Sequence, residues 1–191
     1  MIEQPKNSYN MNSQELEKLK YPIGQHHEHV KYTMEDVASW IADIAQFPQQ
    51  ITSLTENLTA EELNWLHRPD GWTIKQLVHH CADSHMNSFM RFKLALTEDT
   101  PKIKPYHEDR WTELPDSTMD DISNSLMIIS GLHRRWAVLL NSLSEDQLHR
   151  TYYHPEHRTE TNLGLTTSMY SWHCKHHLAH IEQALAHKGT F

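Results

Sequence analysis

Four histidines fall within the eight residues "HCKHHLAH", His173 to His180, and three more, His79, His80 and His85, lie within "VHHCADSH" far upstream. Imidazole is the side chain most often used to hold a metal, and neutral rings bind a divalent ion without cancelling its charge. An ion held by three of them keeps coordination positions free for water or substrate. It lowers the pKa of bound water toward ~7, and it also stabilises a bound thiolate. Hydrolysis and thiol transfer are therefore two outcomes of one kind of site. Zinc or nickel suits such a nitrogen donor set.

Whether the rings converge depends on helical phase. A helix advances about 100° per residue, so with His173 at zero, His176, His177 and His180 fall near 300°, 40° and 340°. All four share one face. His173 with His177, or His176 with His180, could grip one ion as an i,i+4 pair, and spacing does not choose between them. On the upstream segment Ile74, Leu77, Val78, Cys81, Phe89, Phe92 and Leu96 form a core stripe. His80 heads a polar ridge beside it, continued by Ser84, Asn87 and Arg91. His79 points further outward, and His85 packs in the core with a hydrogen bond.

The elements that must position these rings are helical. Five glycines leave little material for tight hairpins, and no alternating strand pattern stands out. Thr33 opens an amphipathic stretch carrying Val37, Trp40, Ile41 and Ile44, which Pro48 should kink or interrupt. Thr59 with Glu62 and Thr73 with Gln76 read as capping boxes, the second opening a long helix to about Leu96. A proline-punctuated connection follows, then a helix from about Met119 to Leu143. Ser144 caps a short segment through Gln147. A polar loop precedes a last helix from about Leu165 to Lys188, with Gly189 at the C-terminal cap position. "LTAEELN" before the first histidine helix and "LSEDQLH" before the second hint at a duplicated two-helix unit. Four long helices with short extra ones predict an all-α, four-helix bundle.

The chain has 191 residues, 17 of them histidine, and a formal charge of -8. That length suits one domain, and that charge argues against a nucleic-acid partner. Only 38% of residues are hydrophobic, with no run long enough for a membrane helix and no secretory signal at the start. A cytoplasmic protein with two free thiols, Cys81 and Cys174, is expected. Glu-x-x-His and His-Glu-x-x-His are absent, which disfavours a di-iron bundle and the common metalloprotease arrangement. The phosphate-cradling glycine loop and the Gly-x-Ser-x-Gly elbow are absent too.

"YPIG" (Tyr21–Gly24), "GWTIKQLVHHCADSHMNSFMRFKLALTEDTP" (Gly71–Pro101), "YHP" (Tyr153–Pro155) and "WHCKHHLAHI" (Trp172–Ile181) resemble the YfiT-type metal-dependent hydrolases of the DinB superfamily, which includes bacillithiol S-transferases. The resemblance spans nearly everything from Tyr21 onward. It implies an up-down four-helix bundle forming one domain over 21–191, a homodimer, and one divalent ion, zinc or nickel, per chain. It implies His80, His176 and His180 as the ligands, so that loss of His173 would leave the ion in place. Asp83, Ser84, Asn87, Arg91, His173 and His177 then become candidates for supporting ligands or touching substrate, and no catalytic residue is assigned. The implied activity is metal-dependent hydrolysis of a small molecule, or else conjugation of a low-molecular-weight thiol to an electrophile; a non-catalytic metal-binding bundle is the third reading. Two departures stand out: Cys81 where close relatives tend to carry leucine, and Lys175 where they often carry histidine. Residues 1–20 lie outside the resemblance and are expected to form a mobile extension.

Overall fold

The structure, a computed structural model, describes residues 12–27 and 31–191. Four long helices carry it: α2 (Met34–Thr55), α4 (Ile74–Thr97), α7 (Ser123–Asn141) and α9 (Leu163–His187), with α1 (Ser13–Lys20), α3 (Ala60–Leu63), α5 (Glu108–Trp111), α6 (Pro115–Thr118) and α8 (Glu145–Leu148) as short additions. The expected starts hold for a local reason. Thr33, Thr59, Thr73 and Ser144 each accept the N–H three residues on, and the side chain at that position accepts the cap's own N–H. Both exchanges satisfy donors that a helix start leaves unpaired.

Around the bundle α2 packs against α7 and α9, and α4 packs against the same two. Helices α2 and α4 therefore lie across one diagonal and α7 and α9 across the other, and the two histidine helices, α4 and α9, are neighbours. The matched heptapeptides contain α3 and α8; α4 is the next element after α3, whereas residues 151–162 form further structure between α8 and α9. Trp136, Phe47, Phe92, Ile44, Leu77, Ile129 and Ile181 are fully buried between the long helices.

Three features differ from the sequence reading. Helix α2 continues past Pro48 without interruption. Proline leaves the carbonyl four residues back without its helical donor; here that carbonyl, Ile44 O, accepts instead from Nδ1 of buried His133 at 2.6 Å. The polar loop before α9 contains an antiparallel hairpin, β1 (Thr151–His154) with β2 (Thr159–Asn162). Its turn is made by Arg158 at φ 55° rather than by a glycine, so the usual turn signal is missing. Within the expected mobile extension Ser13–Lys20 form α1, with Asn12 as its N-cap, while 1–11 lie outside the described residues. The carbonyls of Leu19 and Lys20 accept from Gln183 and His180 of α9.

Candidate metal centre

The turn before α4 sets the height of its first histidines. Residues 66 and 73 bridge across it, and His67 N–H donates to Trp72 O at 3.1 Å. The Trp72 ring then rests 4.7 Å from the ring of His80, closing the site from that end. From α9, His173 and His177 lie one turn apart on the side facing α4. Their rings stand 5.5 and 5.0 Å from that of His80 and 4.4 Å from each other. The Nε2 atoms of His173 and His177 are 3.1 Å apart.

Two groups of three histidines bring ligand nitrogens within 4.8 Å of one another among the described residues: His80 with His173 and His177, and His176 with His177 and His180. The set implied by the resemblance, His80 with His176 and His180, is not gathered in this way. The reason is helical phase. The pair His176 and His180 sits roughly 60° round α9 from the pair His173 and His177, and this turns it away from α4. His180 Nε2 donates to Lys20 O at 3.0 Å, and its ring packs 4.3 Å from that of His67. His176 stacks on Trp172 at 4.3 Å. The Nδ1 atoms of His176, His177 and His180 are buried without a hydrogen-bond partner.

Behind His173 a line of buried rings leads into the core. His173 Nδ1 lies 3.0 Å from His85 Nε2, and His85 Nδ1 lies 2.7 Å from His133 Nε2. His133 is the ring bonded to Ile44 O. His85 therefore is the hydrogen-bonded core histidine expected. His133 was missed, although its place between Ile129 and Trp136 on the apolar stripe of α7 marks it as inward-facing. His79 is a correction: it is 5% exposed rather than outward, accepting from Ser125 Oγ at 2.8 Å through Nδ1 and donating from Nε2 to Met119 O at 3.1 Å. The segment before α7 covers that face of α4, which no pattern within α4 reveals.

The polar ridge divides. Ser84 and Arg91 line a cavity of about 740 Å³, which Tyr106, His154, Tyr170 and His173 also line. Asn87 turns back to its own helix, donating to Asp83 O at 2.9 Å. Asp83 is not on the cavity wall; its carboxyl is pushed up to about 6 by burial and then by Asp116, which places it toward α6. Cys81 and Cys174 are free and buried, and neither belongs to a histidine group.

A model of the DinB superfamily matches residues 43–181, which holds every histidine just described. This chain belongs to the DinB superfamily. A relative from Bacillus pumilus (strain SAFR-032), named "Putative metal-dependent hydrolase", is 46% identical over 87% of this chain and 95% of its own length. Another so named, from Bacillus cereus (strain B4264), is 46% identical over 85% and 93%. Among solved structures, YfiT from Bacillus subtilis, described as "a probable metal-dependent hydrolase with an unusual four-helix bundle topology", superposes with a TM-score of 0.87 at 41% identity, covering 90% of this chain and 98% of that one.

In this DinB-superfamily bundle the candidate ligands are held neutral. Burial, and then the neighbouring His176, lowers the His80 pKa to about 4. Burial likewise depresses His173 and His177 well below the ordinary imidazole value, with the surrounding histidines adding to the effect. The unprotonated form is the one that can donate a lone pair to a metal.

Proposed function

We propose that this protein is a hydrolase acting on a small molecule through one divalent ion, zinc or nickel, held by His80, His173 and His177. The observation that carries this reading is the 3.1 Å separation of the His173 and His177 Nε2 atoms, with the His80 ring against both. Two nitrogens bound to one tetrahedral ion at about 2.05 Å stand about 3.3 Å apart. Of the two histidine groups among the described residues, this one draws on both histidine helices and reaches the cavity, through His173. The names of the relatives support a metal-dependent hydrolase.

A bound ion supplies Lewis acidity and lowers the pKa of water beside it toward ~7. The chain's own residues do the remaining work. Trp72 and the buried core keep bulk water away behind His80. Arg91 stands on the cavity wall, where its fixed charge can pair with an anionic group of the substrate. Tyr106 and His154 offer further polar contacts on the same wall.

Elemental analysis of purified chains tests the ligand set. One ion per chain is expected, lost on His80→Ala, His173→Ala or His177→Ala and retained on His176→Ala. Retention in His173→Ala with loss in His176→Ala would move the centre to the set implied by the resemblance and overturn this one. Assays with esters and amides, run beside thiols with an electrophile, test the reaction. Thiol conjugation without hydrolysis would replace the hydrolase with a thiol transferase using the same ion, which would hold the thiol as thiolate.

A further inference from the structure

The buried rings behind His173 form a chain with a fixed direction. A carbonyl oxygen can only accept, so the bond of His133 Nδ1 to Ile44 O requires the proton on His133 Nδ1. The neutral ring then carries its lone pair on Nε2, and His85 must donate to it from Nδ1 at 2.7 Å. By the same step His85 Nε2 accepts from His173 Nδ1 at 3.0 Å. His173 is left with its lone pair on Nε2, the atom 3.1 Å from His177 Nε2. The rings that face these three are Phe47, Trp136, Tyr170, His80, His177 and each other, and no acidic side chain is among the charges acting on them.

We infer that His133 and His85 are positioning residues, which fix the tautomer and orientation of His173 so that its Nε2 lone pair is presented to the metal, with the chain of bonds anchored on the Ile44 carbonyl that Pro48 leaves free. The inference rests on the reading of His173 as a ligand. Metal-bound imidazoles commonly donate their second N–H to a carbonyl or carboxylate, which raises ligand basicity and fixes the ring. Here that carbonyl is two imidazoles away, on a different helix from either histidine ligand helix. Because the chain of bonds ends on a backbone oxygen rather than on solvent, it orients His173 and does not carry protons out. It also gives the proline in α2 a function, since an ordinary residue at position 48 would compete for Ile44 O with its own N–H.

The test uses the full chain, with zinc or nickel affinity measured by chelator competition and His173 tautomers read from long-range 1H–15N correlation of the metal-free protein. The wild-type His173 ring should carry its proton on Nδ1. His133→Leu should weaken metal binding about 10- to 100-fold and shift the His173 proton toward Nε2, with the circular dichroism of the bundle retained. His133→Gln should recover affinity to within about threefold of wild type, because its amide donates to Ile44 O while its oxygen accepts from His85. An unchanged affinity in His133→Leu, or a loss that glutamine does not rescue, would overturn the inference. Should His133→Leu fail to fold, His85→Gln and the wild-type spectrum decide: a metal-free His173 protonated on Nε2 refutes the direction of the chain. Retention of the ion in His173→Ala is a separate result, which removes the ligand reading while leaving the tautomer measurement intact.

Discussion

His180 donates from Nε2 to the carbonyl oxygen of Lys20 at 3.0 Å, tying the middle of the last helix to the last residue of the first. Gln183, one turn further on, donates to Leu19 O at 3.1 Å and to His67 O at 2.6 Å. The start of the chain and the turn before α4 thus meet on one face of α9. A helix C-terminus leaves carbonyls without intrahelical donors, and α9 supplies them.

Removal of residues 1–20 should therefore cost stability rather than leave it unchanged, as a mobile extension would. Two side-chain bonds are lost, so a decrease of about 1–3 kcal/mol is expected from denaturant unfolding. Metal content should be retained, because the bonds from α9 to α1 come from His180 and Gln183 rather than from the proposed ligands His80, His173 and His177.

Stripping the ion should lower the melting temperature. A ligand at about 100 times its dissociation constant adds about 2.7 kcal/mol, which is roughly 5–10 °C for a domain of this size. Re-addition of zinc or nickel should restore the transition in wild type. His80→Ala should melt at one temperature with or without the metal.

Acid should destabilise the metal-free protein over a defined window. The folded-state pKa values of His80 and His133 are lowered to about 4 by burial, whereas an exposed imidazole titrates near 6.5. Between those values the unfolded chain binds protons that the folded chain refuses, so stability is full above pH ~6.5 and falls as pH drops toward ~4. At pH 5 the loss is about 2 kcal/mol for each of the two rings. Urea titrations at pH 7, 6 and 5 check it; a midpoint that does not fall would show that these rings are protonated when folded.

Arg91→Met should raise KM about tenfold or more while leaving the metal content unchanged, since the guanidinium lines the cavity and is not part of either histidine group. A fall in kcat with KM unchanged would instead place Arg91 at the reacting atoms.

Much of the bundle was legible from local chemistry. Capping boxes at Thr59 and Thr73 and the cap at Ser144 are exchanges between residues three apart, so they form wherever the pattern occurs. The apolar stripes of α4 and α7 are equally local. The hairpin was not legible, because four-residue strands with Arg158 at the turn carry neither the length nor the glycine that marks one. His79 was misplaced because the burial of its face depends on a distant segment, residues 119–125, folding back over it.

The sequence by itself determined that four imidazoles share a face of α9 and that His80 opens onto the side of α4 beside its core, since both follow from 3.6-residue periodicity. It could not choose between two i,i+4 pairs, because each satisfies the same spacing. That choice was made by packing. The rotation of α9 against α4 brings His173 and His177 to His80, and α1 takes up His180. The same packing set His133 against Ile44, two residues with no relation in sequence, since a bond between helices depends on where their axes lie and not on the pattern within either.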